Sequence, residues 1–260
     1  MNIFEKRRKI EEKNQAEALK KLDKIGWRLE WEPRFKKYLE YLGKDKEAKI
    51  LDLGSGVTSS FLRLLKKEGY KNILGFDLTK SASREAKKHG LKVLLGDLEK
   101  DDLEKLFKGE KFDYVVLGET IEHLFYPKEA LEKIKKILKP RGKLIISTPN
   151  AGFWLNGLFM VFAPQYLDFF SVSYSSEEHR HFFTTYSFRK LLKESGFEIQ
   201  EFCVIPHWPR RPVKKNLSIK LIVTIENLIF RISNLFIHIF PSIFGEFLIV
   251  KARPMKNAKN

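Results

Sequence analysis

The sequence has one cysteine, Cys203, among 260 residues. A lone thiol excludes an intramolecular disulfide framework and any cysteine-built structural zinc site. The opening stretch, MNIFEKRRKIEEKNQ, has no apolar core behind its charges. It does not read as a secretory signal, and the default expectation is a cytoplasmic protein. Long uncharged apolar runs are missing too. The most apolar segment, 216–240, is interrupted by Lys220, Glu226 and Arg231, which argues against a membrane span. Acidic residues are scarce at one end, because residues 204–260 hold 10 Lys and Arg against 2 Asp and Glu.

What is present points to a folded chain. Hydrophobic residues make up 43% and aromatics 13%, too much for a disordered chain. The length allows one large domain or two small ones. The formal charge is +16. Such a charge suits a nucleic acid or an anionic membrane as partner, or a Lys-rich surface on a soluble enzyme. Its distribution is uneven. Residues 1–47 carry 14 basic and 10 acidic side chains, and residues 48–203 carry 25 and 21, so half of the excess lies in 204–260.

Residues 5–24 read as a charged helix and 33–42 as a second, opened by Pro33. Together they form an N-terminal helical segment, 1–47. From residue 48 the pattern changes. Short apolar runs at 48–53, 72–77, 92–97, 112–118 and 143–148 are separated by SSFLRLLKKEG, SASREAKKHG and PKEALEKIKKILKPRG. Alternating strands and helices predict a parallel sheet with helices on both faces. Helix stops are predicted where Gly69, Gly90 and Gly142 follow Lys-rich turns. TTYSFRKLLKESG adds a helix, FEIQEFCVIP a sixth strand and GEFLIVKAR a seventh.

The first strand runs into Asp52-Leu53-Gly54-Ser55-Gly56. A Gly-rich turn between strand and helix lets a ligand reach backbone N–H groups closely. A dinucleotide fingerprint would place a third glycine at 59, where this chain has Ser59, so a nicotinamide dehydrogenase is disfavoured. Acidic residues close successive strands: Asp52, Asp77, Asp97 and then Glu119. Carboxylates there can accept from ribose hydroxyls, an exocyclic amine or an ammonium group. Alternatively, each caps the helix that follows.

Residues 48–203 resemble the class I S-adenosylmethionine-dependent methyltransferases, and 245–253 fits that family's last strand, so the likeness covers about two-thirds of the chain. It is carried by ILDLGSG, Asp77, GDLE, FDYVVLGETIEH, LKPRGKLIISTPN and HRHFFTTYSFRKLLKESGFEI. The resemblance implies a Rossmann-like, seven-stranded, mostly parallel sheet with an antiparallel last strand. It implies S-adenosylmethionine as cofactor. Gly54, Ser55 and Gly56 would lie against its methionine part, and Asp52 near its ammonium group. Asp77, with Leu78 beside it, would take the ribose hydroxyls. Asp97 and Leu98 would read the adenine, and Glu119 would lie between cofactor and acceptor.

The segment Glu119-Thr120-Ile121-Glu122-His123 is similar to the ubiquinone-biosynthesis O-methyltransferase group. That likeness implies a divalent cation held by Glu119, Glu122 and His123. The further acidic ligand of that pattern is Tyr126 here. Without a metal, His123 is the general-base candidate, or else a histidine that only shapes the pocket. After the fifth strand, the loop 149–183 holds Asn150, Phe153, Trp154, Tyr166, Phe169, Phe170, His179 and His181. It reads as a lid over the acceptor, with the two histidines a base or ligand pair or simply packing.

In 216–240, apolar residues recur at 221, 225, 228, 232, 235 and 239 beside a polar stripe through Lys220, Thr224, Asn227, Arg231, Asn234 and His238. Leu217, Ile222, Ile229 and Phe236 widen the apolar face, and Pro241 is expected to end the helix. Arg210, Arg211, Lys214 and Lys215 precede it. Such an amphipathic insertion suits peripheral membrane contact, or packing on the domain or in a homodimer; nucleic acid is the weaker candidate. The leading expectation is O-methylation of a small or lipid-like acceptor. The rivals are an RNA or protein methyltransferase and a non-catalytic cofactor-binding module.

Overall fold

The computed structural model describes residues 3–25, 33–162, 179–206 and 217–255. Tyr166, Phe169, Phe170 and the basic residues Arg210, Arg211, Lys214 and Lys215 lie outside the described residues. Helices α1 (Ile3–Ile25) and α2 (Pro33–Leu42) precede the alternation β1 (Ile50–Leu53), α3 (Ser60–Lys67), β2 (Ile73–Asp77), α4 (Lys80–Lys88), β3 (Val93–Leu95), α5 (Leu103–Leu106), β4 (Phe112–Gly118), α6 (Pro127–Ile137) and β5 (Leu138–Pro149). Then follow α7 (Trp154–Phe162), α8 (Thr185–Glu194), β6 (Phe197–Pro206), α9 (Leu217–Phe236), α10 (Pro241–Phe244) and β7 (Gly245–Pro254).

The sheet order is β3-β2-β1-β4-β5-β7-β6. Pairings from β3 through β5 are parallel, and β7 runs antiparallel to both β5 and β6. This is the expected seven-stranded architecture with its reversed last strand. The order turns back between β1 and β4, which opens a crevice outside their carboxyl ends.

Strand period decides the two faces. Leu51, Leu53, Val115 and Leu117 join one apolar cluster, whereas Ile50 and Val116 join the other. Both faces are covered, which explains why these strands are apolar throughout. Leu131, Ile134 and Phe188 of α6 and α8 cover one face; Phe61, Leu62 and Leu65 of α3 cover the other. Helix α2 joins the second face through Tyr38, Tyr41 and Leu42, so this part of the N-terminal segment is core.

Two sequence expectations change. Gly69 and Gly90 do follow helices in left-handed conformations, at φ +85° and +63°. Gly142 does not: α6 stops at Ile137, and Gly142 lies within β5. A Cβ there would come within 2.8 Å of the Phe112 carbonyl, so this glycine serves a close backbone approach. Pro241 does not end α9, which stops at Phe236; it opens α10, where its missing N–H costs nothing. Among its described side chains, the apolar arc of α9 is only partly buried. Ile229 packs on Phe153, Trp154 and Leu155, and Ser233 is buried with its hydroxyl 3.2 Å from Trp154 Nε1. Ile225, Leu228, Leu235 and Ile239 of the predicted stripe are exposed.

Candidate active site

The turn after β1 is fixed by backbone bonds to β2. The N–H groups of Gly54 and Ser55 donate to the Phe76 carbonyl at 2.8 and 3.2 Å. Gly54 and Gly56 are left-handed, at φ +75° and +64°. A Cβ on Gly54 would stand 2.3 Å from Thr120 Oγ1, so the loop after β4 closes against this position and admits only glycine. Around Gly56 no atom lies within 4 Å of a Cβ position, so the turn borders a hollow. The Ser55 hydroxyl is buried without a hydrogen-bond partner.

The strand-end acids converge here. Asp77 accepts from the Gly56 N–H (2.9 Å), the Thr79 N–H (2.9 Å), the Thr79 hydroxyl (2.7 Å) and Gln15 Nε2 (3.3 Å). Burial pushes its pKa up and these donors pull it back. Asp52 is buried, and desolvation together with neighbouring Asp77 raises its pKa to about 7. Leu78 is half-buried in the bend after β2. Asp97 accepts from the Glu99 N–H at 3.0 Å, and Leu98 sits in the core with its carbonyl bound by Lys133.

Helix α1 lies across these acids. Arg7 reaches Asp97 at 3.0 Å and also pairs with Glu99. Gln15 meets Asp77 and Thr79, and Glu12 accepts from the Lys80 N–H at 2.7 Å. Arg7 and Gln15 share a helix face two turns apart. That spacing is visible in the sequence, but the partners are not.

The loop after β4 stands against this turn through Thr120. Glu119 has φ +48°, a left-handed conformation rare in a non-glycine residue. Its side chain accepts from the Ser147 hydroxyl at 2.6 Å and pairs with Arg34 at 3.2 Å. Ser147 spends its proton on Glu119, so Tyr38 donates to Ser147 in the bond between them. Arg34 and Tyr38 from α2 and Ser147 from β5 therefore form one cluster with Glu119. Sequence reading missed all three, since nothing local marks them.

Next to this cluster, Ile121–His123 forms a single 3-10 turn. The side chain of Glu122 is 2% exposed. Its Oε2 accepts from Thr148 at 3.2 Å, and its Oε1 has no hydrogen-bond partner. That oxygen lies 3.9 Å from His123 Nε2 and 4.0 Å from His179 Nε2. Burial, with Glu119 beside it, pushes the Glu122 carboxyl well up. The two imidazoles meet edge to face at 4.7 Å. The N–H groups of Arg180 and His181 donate to the Glu122 carbonyl, which ties the end of the lid to this turn.

Glu122, His123 and His179 each bring one ligand atom within 4.8 Å of the others. Of the expected set of Glu119, Glu122 and His123, Glu119 pairs with Arg34 and accepts from Ser147, and His179 stands with the other two instead. The histidine pair is changed too: His181 stacks on Phe183 at 5.7 Å. Of the lid aromatics, Phe153 and Trp154 pack against α9. Asn150 is structural, donating to the Ser242 and Gly245 carbonyls at 2.9 and 2.7 Å.

A family model described as "Methyltransferase domain" matches residues 27–201. The chain belongs to this methyltransferase family. It is 25% identical over 177 residues, 62% of the chain and 70% of the relative, to the ubiquinone/menaquinone biosynthesis C-methyltransferase UbiE of Ruegeria. It is 31% identical over 119 residues, 45% of the chain and 50% of the relative, to the ubiquinone biosynthesis O-methyltransferase of Coxiella burnetii. Among solved structures, a SAM-dependent methyltransferase from Archaeoglobus fulgidus matches at TM-score 0.56 and 18% identity, over 84% of this chain and 90% of that one. The chain spans 40% to 72% of the length of the curated relatives it matches.

S-adenosylmethionine is the methyltransferase's cofactor, and the residues present fit it. The hollow beside Gly56, the unpartnered Ser55 hydroxyl and the buried carboxylates of Asp52, Asp77 and Asp97 offer acceptors and space at one strand-end crevice.

Proposed function

We propose that the methyltransferase methylates an oxygen of a small or lipid-like acceptor. The observation that carries this reading is the buried Glu122 carboxylate with one unpartnered oxygen facing two imidazoles. Bound S-adenosylmethionine supplies an electrophilic methyl on a sulfonium. The chain's own task is then to orient the acceptor hydroxyl and remove its proton. His123 accepts that proton, and the imidazolium that forms favours the ionised form of the buried Glu122 carboxyl beside it. Arg34, Glu119, Ser147 and Tyr38 form the rigid floor below the acceptor. The relatives named for ubiquinone biosynthesis support an acceptor of this type, one by name at oxygen and one at carbon.

The test transfers labelled methyl from S-adenosylmethionine into a cell extract split into lipid, small-molecule, RNA and protein fractions. Label in the lipid or small-molecule fraction is expected. His123→Gln should lower kcat about 100-fold or more with cofactor affinity unchanged. Label in RNA or protein, or full activity in His123→Gln, would overturn the reading. Cofactor binding without transfer to any fraction would leave a binding module.

The same three side chains support a second reading. Two imidazoles and a carboxylate suit a divalent transition ion better than magnesium. Glu122, His123 and His179 would hold it, and it would act as a Lewis acid on the acceptor oxygen. Calorimetric titration with zinc or manganese tests this without turnover. Binding at micromolar or tighter affinity that Glu122→Gln abolishes is expected, and equal affinity in wild type and variant refutes it.

A further inference from the structure

We propose that the outer face of α9 and α10 docks on an anionic lipid bilayer and sets the acceptor site at the membrane surface. The proposal rests on the lipid-like acceptor argued above, but the docking face has its own evidence. Three observations carry it.

First, the face is apolar, open and ordered along a helix. Leu228, Leu235 and Ile239 are 58, 70 and 66% exposed, and Phe240 and Ile243 continue the patch onto α10. The neighbouring arc of α9 is already spent on the domain through Ile229 and Ser233, with buried Ile237 just beyond its end. A helix held by one arc and open along the next lies flat on a surface. Among the described residues, no helix is long and apolar enough to cross a membrane.

Second, the sequence that carries this face has a charge complementary to an anionic surface. Residues 204–260 hold 10 Lys and Arg against 2 Asp and Glu; α9 carries Lys220 and Arg231 against Glu226, and the other acid, Glu246, is buried. A second copy of the chain is the other obvious occupant. A two-fold interface would place this basic surplus against itself. Anionic headgroups instead neutralise it.

Third, the face stands at the right edge of the sheet. Asn150, directly after β5, holds the Ser242 and Gly245 carbonyls of α10 and β7. Ser147, near the end of the same strand, belongs to the acceptor floor. An acceptor with an apolar tail could therefore stay in the bilayer while its reactive group enters the crevice.

The test is flotation of the full chain with neutral phosphatidylcholine vesicles and with vesicles containing phosphatidylserine. Binding to the anionic vesicles alone is expected, and it should weaken as salt rises from about 0.05 to 0.5 M. Leu235→Glu and Ile239→Glu should each cut vesicle affinity about tenfold or more. Both side chains are exposed, so Tm and calorimetric cofactor affinity should hold. Equal binding by variants and wild type, or no preference for anionic vesicles, would overturn the proposal. So would a dimer in solution that Leu235→Glu dissociates. Vesicle binding without methyl transfer to any lipid would remove the lipid-like acceptor and leave the docking intact.

Discussion

Asp52 offers a quantitative test of how the cofactor turn is tuned. Its carboxyl is 4% exposed at the end of β1, and burial with neighbouring Asp77 raises its pKa from 3.8 to about 7. In the unfolded chain the group ionises near pH 4. Between about pH 4 and 7 the folded state therefore keeps a proton that the unfolded state has lost. Stability falls with rising pH across that window and changes no further above it. A shift of about three units corresponds to about 4 kcal/mol. Asp52→Asn removes the titration but keeps the shape. The stability of the variant minus that of wild type should grow by about 4 kcal/mol between pH 4 and 7, then level off. Urea unfolding of both proteins at half-unit pH steps measures it. Glu122 also titrates, but it is common to both proteins and cancels in the difference. Cofactor should reverse the trend, because its ammonium group favours ionised Asp52. Affinity should rise up to about tenfold per pH unit from 5 to 7, with uptake of cofactor releasing close to one proton at pH 6. Parallel stability curves for the two proteins would refute the reasoning.

Further outcomes follow from other contacts. Gly54→Ala must place a Cβ against the Thr120 side chain at a positive φ; about 1–3 kcal/mol of destabilisation should accompany loss of cofactor binding, read by thermal melts with and without S-adenosylmethionine. Asp77→Ala leaves the Gly56 and Thr79 N–H groups unpaired, so calorimetry should show cofactor affinity abolished, and melts a loss of about 1–3 kcal/mol per group. Cofactor that uses Asp77 and Asp97 must displace Gln15 and Arg7 from them, so amides of α1 should exchange faster in the cofactor complex; slower exchange would show that α1 instead closes over the bound cofactor. Ser147→Ala frees Glu119 and Tyr38 from their shared hydroxyl and should lower kcat with little change in cofactor affinity.

Much of the cofactor half was legible in the sequence because its signals are local. Short apolar runs, glycines at turns and an acid at each strand end lie within a few residues of one another. The seven strands and the reversed β7 were implied by resemblance, and the pairings bear them out; the order of the strands came from the structure alone. The acceptor half was legible only in part. Glu119, Glu122 and His123 share one segment, but the side chains that define their chemistry come from afar. Arg34 and Tyr38 arrive on α2, Ser147 on β5 and His179 on the end of the lid.

The sequence by itself determined that this chain alternates strand and helix, and that acids and glycines gather at one edge of the sheet. Periodicity and turn chemistry are properties of neighbours along the chain, so they survive without the fold. Tertiary structure alone decided which partner each charged group meets. It gave Glu119 to Arg34, left one oxygen of Glu122 facing His123 and His179, and laid Arg7 on Asp97. It also decided which part of the apolar arc of α9 faces outward. The hydrophobic pattern cannot choose between two adjoining apolar arcs, whereas buried Ser233, small and hydrogen-bonded to Trp154, fixes the inward one.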